Sequence, residues 1–182
     1  MDSEVLIDVI LRFSKLNLPK GWQKYLDWVN KQKDKVGSKM GSKDPNLGRT
    51  AGGVYEEIVE VSLGVLDKYA QEMGEDKKGT IRREALSCSF RALDNYACAR
   101  MWTCFQRVLD LVDLMTWGMT PEENAELNVV RLRIDIVNGD RGVAEVTAKN
   151  TLDQAKAKKW RSVIAAASSV LSSIAWHNSH GH

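Results

Sequence analysis

The chain has 182 residues, enough for one domain to bury a full hydrophobic core without disulfide or metal staples. Hydrophobic residues make up 43% of it and charged residues 27%, a balance that argues against intrinsic disorder. A formal net charge of +2 is too small to name a polyanionic partner, so the distribution of charge matters more than its sum.

Three prolines, Pro19, Pro45 and Pro121, leave long helices permitted almost everywhere. Cys88, Cys98 and Cys104 are odd in number and show neither CxxC nor Cys/His spacing, so neither a disulfide framework nor a zinc site is expected. Met-Asp-Ser-Glu-Val-Leu at the start lacks the basic region of a signal peptide, and Asp8 and Arg12 interrupt the apolar stretch that follows. No window holds the roughly 18 apolar residues that a spanning helix needs. A reducing, cytoplasmic location is expected, or the virion if the source is viral.

In chain order, Ser3 caps a first expected helix carrying Val5, Leu6, Val9, Ile10 and Phe13 on one face, ended by Asn17-Leu18-Pro19. Pro19 then sits near the first turn of a second helix with Trp22, Tyr25, Leu26 and Val29 inward. Residues 37–53 lose the apolar pattern and read as a mobile basic loop. A third helix over 54–73 uses Ile58, Val61, Val65, Tyr69 and Met73.

Leu86, Phe90, Leu93, Ala97, Met101, Cys104, Val108, Leu111 and Met115 form a stripe with a period near 3.6, and neither glycine nor proline lies between Gly79 and Gly118. The spacing predicts one uninterrupted helix over 80–117. Its 38 residues would span about 57 Å, against a diameter of about 40 Å for a compact chain of this size. An elongated molecule is therefore expected, unless the helix breaks without a marker.

Thr120-Pro121-Glu122-Glu123 is a capping box that starts a further helix. Within 129–147, Val130, Leu132, Ile134 and Ile136 alternate with polar residues ahead of Asn138-Gly139, as a small β-hairpin would. Leu127, Val130, Ile134 and Val137 also share a helical face, so helix–turn–helix is the other reading. A last helix, from about 143 or 150 to 176, carries Trp160, Val163, Ala167, Val170, Leu171 and Ile174, and residues 177–182 form a flexible tail. The fold class that follows is all-α: a single, elongated domain of about six helices around one long central helix.

Catalytic templates fail. GxSxG, P-loop, HExxH and Gly-rich dinucleotide motifs are absent, and His177, His180 and His182 all fall at the end of the chain. The pairs Glu56-Glu57 and Glu122-Glu123 fall at predicted helix starts, where the macrodipole accounts for them. No enzyme activity, cofactor, metal or small-molecule substrate is expected.

Charge is segregated. Between Lys15 and Arg49 stand nine Lys/Arg against three acids, between Thr50 and Asp76 seven acids against Lys68, and between Lys149 and Arg161 five bases against Asp153. Such blocks read either as solvated helix faces or as a polyanion-binding or assembly surface. The candidate nucleic-acid-binding residues are Lys24, Trp28, Lys31, Lys33, Lys35, Lys39, Lys43 and Arg49, with Arg82 and Arg83 as a second patch. Lysines track phosphates while an exposed aromatic stacks on bases, and Trp28 is the aromatic placed to be exposed. Lys156, Lys158, Lys159 and Arg161 ahead of an apolar stripe also resemble a membrane-surface helix, the alternative to a bundle helix. The expected protein is a non-enzymatic, self-associating helical structural protein that binds RNA or another polyanion, of the nucleocapsid, coat or matrix kind. The alternative is a helical adaptor or regulator that binds a protein partner and no nucleic acid.

Overall fold

The structure, a computed structural model, describes residues 18–36, 45–69, 71 and 73–180. These residues are all-α: seven helices and no strand among them. The expected helix over residues 3–17 lies outside them. The sequence reads as one helical domain, whereas contacts divide the chain into two compact units, Met1–Met115 and Thr116–His182.

In the first unit, α1 spans Leu18–Val36 with Pro19 in its first turn, where a missing N–H costs nothing. Tyr25, Val29, Gln32 and Val36 are buried, at steps of 4, 3 and 4, so one face of α1 is committed to the core. The Tyr25 hydroxyl and the Ser62 hydroxyl share a buried hydrogen bond of 2.7 Å, so the polar tip goes inside without an orphan.

Helix α2 spans Pro45–Tyr69 and corrects the expected loop: residues 45–53 are helical, and residues 37–44 lie outside the described part. Gly48, Gly52 and Gly53 hide this helix from the sequence, since each costs about 1 kcal/mol relative to alanine in a helix interior. Packing overrides that cost at Gly52, where an added Cβ would lie 2.5 Å from a ring carbon of Tyr96. The glycine lets α2 approach the tyrosine of the next helix.

The expected 80–117 helix is two helices, α3 (Glu75–Cys98) and α4 (Trp102–Asp113). Arg100 takes a left-handed conformation at φ 57°. The Met101 N–H donates to the Tyr96 carbonyl at 2.9 Å and the Arg100 N–H to the Ala97 carbonyl at 3.1 Å, the two bonds of a Schellman stop. An arginine here leaves no glycine signal. The apolar stripe continues across the break because both helices feed one core: Leu86, Leu93 and Ala97 from α3, then Phe105, Val108 and Val112 from α4.

The second unit holds α5 (Pro121–Asn138), α6 (Arg141–Lys158) and α7 (Arg161–Ser179). The capping box forms: Thr120 Oγ1 accepts from the Glu123 N–H at 3.1 Å, and the Thr120 N–H donates to Glu123 at 3.0 Å. Residues 129–147 are helix–turn–helix, and the hairpin is not seen. Gly139 at φ 96° ends α5 with its own Schellman pair, so Asn138-Gly139 serves as a helix stop. Val129, Leu132 and Ile136 are buried at helical steps, which fixes the helical reading of the alternating stretch.

The expected last helix also breaks, at Lys159, again left-handed at φ 59°, with the Trp160 N–H bonded to the Ala155 carbonyl at 2.9 Å. Ala144 and Ala148 of α6 meet Ala167, Val170 and Ile174 of α7 in the core of this unit, small residues that allow close helix approach. Residues 177–179, expected in a flexible tail, continue α7; His180 stacks on Trp176 with ring centroids 4.4 Å apart, and residues 181–182 lie outside the described part.

Candidate nucleic-acid interface

Because Tyr25, Val29, Gln32 and Val36 anchor one side of α1, its other side faces water. Lys24, Trp28, Lys31 and Lys35 fall on one flank of α1 at steps of 4, 3 and 4, within about 60° of one another and about 100° round from the buried set at 100° per residue. Lys24, Lys31 and Lys35 are exposed and Trp28 is half-buried. The stripe is about 16 Å long. Lys35 also donates to Gln32 Oε1 at 3.0 Å, while Asp27 and Asp34 flank the stripe along one edge.

The other candidates separate. Lys33 points away from the stripe and is paired with Glu84 of α3, a half-buried tie between two helices. Arg82 is 4% exposed and belongs to the interior, so it is not available to a polyanion. Arg83 beside it is exposed. Lys39 and Lys43 lie outside the described residues, and Arg49 lies on the first turns of α2.

Glu56 is a second charged feature, and the sequence misassigns it. It lies mid-helix in α2 rather than at a helix start, and it is 6% exposed. Its carboxylate accepts from the Tyr96 hydroxyl of α3 at 2.8 Å and from Arg107 of α4, whose Nε approaches to 2.7 Å and Nη2 to 2.5 Å. The bond to Glu56 holds the Arg107 pKa above its ordinary value, and burial does the same for the Tyr96 hydroxyl. One carboxylate thus joins three helices. Its partners satisfy it fully, which is the arrangement of a structural brace rather than of an acid or base awaiting substrate. No sequence signal marks it, since its partners stand 40 and 51 residues away.

Cys88 is wholly buried, and burial, with Glu84 nearby, pushes its thiol up to about 12. A thiol held protonated is a poor nucleophile and a poor ligand. Among the described residues no group of three His, Cys, Asp or Glu side chains is arranged to hold a metal, and no helix is long and apolar enough to cross a membrane. The apolar stripe of α7 that suggested a membrane surface is spent inside the unit, with Val163, Ala167, Val170 and Ile174 all buried.

Large apolar side chains that stay in water include Val137, Val143 and Val146 near the α5–α6 turn, at 53%, 68% and 60% exposure, with Leu114, Trp117 and Trp176 at other places. Against these features, no protein-family model, curated protein or solved structure matches the chain.

Proposed function

We propose that this is a non-enzymatic helical protein that binds nucleic acid through the basic flank of α1 and associates with itself, in the manner of a nucleocapsid, coat or matrix protein. The observation that carries the reading is the stripe Lys24–Trp28–Lys31–Lys35, three exposed cations and one aromatic on a single face. Retention of purified chain on heparin, lost with rising salt, is the first expected result. Replacing Lys31 and Lys35 with glutamate is expected to weaken RNA binding and flatten its salt dependence by about 1.4 in the log–log slope, at about 0.7 per single-strand phosphate contact. Unchanged affinity would move the interface off α1.

Self-association rests on the exposed valines beside the α5–α6 turn. Sedimentation is expected to show a concentration-dependent assembly that the pair Val143→Lys and Val146→Lys removes; a monomer at every concentration counts against a coat or matrix role. The same valines also suit the second reading, an adaptor whose α5–α6 end docks a protein partner. That reading gains if the chain ignores both heparin and RNA.

A further inference from the structure

The turn between α6 and α7 gathers Lys156, Lys158, Lys159 and Arg161 within six residues, and all four side chains are exposed. No Asp or Glu occurs anywhere from residue 154 to residue 182. The short α5–α6 and α6–α7 turns make α6 run back along α5 and α7 back along α6, so the start of α5 lies at this same end. Its acids Glu122, Glu123 and Glu126 are half-buried, Glu123 is engaged in the capping box, and the exposed acid nearest in sequence is Asp153, three residues before Lys156.

A structural explanation covers part of the cluster. Cations in the last turn of a helix complement its dipole, which accounts for Lys156 and Lys158. It does not account for Arg161, which opens α7 at the positive end of that helix, with no acid in the first turn beside it. Trp160 is half-buried between the two helices, and Lys158 Nζ sits 4.7 Å from its ring centroid. The ring thereby restrains one lysine, lowering the side-chain entropy lost when that lysine meets a phosphate.

The geometry points to this corner as a second phosphate-binding surface for single-stranded nucleic acid, carried by the unit that does not contain α1. It rests on the nucleic-acid reading above but uses other residues. A membrane is the less favoured anion: the apolar face of α7 is buried, and exposed Trp176 stands fifteen residues from Arg161, about 22 Å along the helix. The α6–α7 turn itself therefore offers charge with no exposed large apolar side chain beside it.

The test is fluorescence anisotropy of a labelled single-stranded RNA oligonucleotide against the full chain, over a range of salt. The corner variant combines Lys156→Gln, Lys158→Gln, Lys159→Asn and Arg161→Gln; asparagine is chosen because it tolerates the left-handed conformation of residue 159. Circular dichroism melts confirm that it stays folded, and a companion variant with Lys156→Arg and Lys158→Arg is expected to bind as the unaltered chain does. The corner variant is expected to lose about tenfold or more in affinity near 0.15 M salt and to flatten the salt slope by about 3, four contacts at about 0.7 each. The α1 variant with Lys31→Glu and Lys35→Glu is measured in parallel. Loss in the corner variant supports the corner whatever the α1 variant does. An unchanged corner variant beside a weakened α1 variant overturns the corner and leaves the α1 reading standing. Absence of RNA binding by the unaltered chain overturns both, as does binding only to vesicles of phosphatidylcholine and phosphatidylserine.

Discussion

Gly52 and Arg100 show how much single positions decide here. A methyl group at Gly52 would collide with the Tyr96 ring, whose hydroxyl also serves Glu56, so Gly52→Ala is expected to lose about 1–3 kcal/mol of stability despite alanine's better helix propensity. Urea titration reads this, and a gain in stability would mean that the ring swings aside freely. Arg100 shows the opposite balance. Its left-handed backbone costs a side-chain-bearing residue about 1–2 kcal/mol, which glycine avoids while adding entropy to the unfolded chain. Arg100→Gly is therefore expected to raise stability by up to about 1 kcal/mol, measured in the same titration. A loss would show that the arginine side chain contributes more than its backbone costs. Burial of Cys88 adds a pH dependence. Its folded pKa of about 12 lies above the ordinary 9.0, so the folded state keeps a proton that the unfolded state releases between these values. Stability from this group is complete below pH 9 and falls as pH rises toward 12. Tyr25 and Tyr96, also raised by burial, act in the same direction at alkaline pH. A Cys88→Ala variant is expected to show a shallower alkaline decline; an equal slope would remove the thiol from that account.

At the scale of elements, the break between α3 and α4 depends on what re-attaches α4 beyond it. Arg107 reaches back from α4 to Glu56 of α2, and the side chain of Glu56 is only 8% exposed while that of Arg107 is 53% exposed. Removing the arginine strands a buried carboxylate, so Arg107→Ala is expected to cost about 2–3 kcal/mol, less than a fully buried pair because half of the guanidinium is already solvated. Glu56→Gln leaves hydrogen-bonding capacity in place and should cost less. If the two changes cost the same, charge is not what matters at this brace. The elements themselves were partly legible. Apolar periodicity located α1 and the stripe of α3 and α4, because buried faces impose a 3.6-residue repeat on any helix, and the capping box located the start of α5. It could not locate the stops at Arg100 and Lys159, because a Schellman stop is made by backbone conformation and tolerates a non-glycine residue when the packing on both sides holds it.

At the scale of the molecule, the chain forms two compact units, each with its own buried set. The connection around Thr116–Thr120 carries Trp117 at 54% exposure, which marks it for chymotrypsin. Limited proteolysis is expected to release a C-terminal fragment that begins near Gly118 and keeps helical circular dichroism, since α5, α6 and α7 bury Val129, Ile136, Ala148, Val170 and Ile174 among themselves. A fragment that loses its helicity on release would show that this core is insufficient alone.

By itself the sequence determined the all-α class, the capping box at Thr120, the burial of Tyr25 and Val29 on α1 and the segregation of charge. These follow from local spacing, which a helix converts directly into faces. Tertiary structure alone decided that α2 begins at Pro45 despite its glycines, that the long central helix is two, and that Glu56 is a buried brace. It also buried Arg82 and tied Lys33 to Glu84, while Lys24, Lys31, Lys35 and Arg83 stay exposed. The physical reason is common to all of these. A glycine's penalty, a left-handed residue's strain and a charge's exposure each depend on neighbours far away in the chain, and only the packed fold brings those neighbours together.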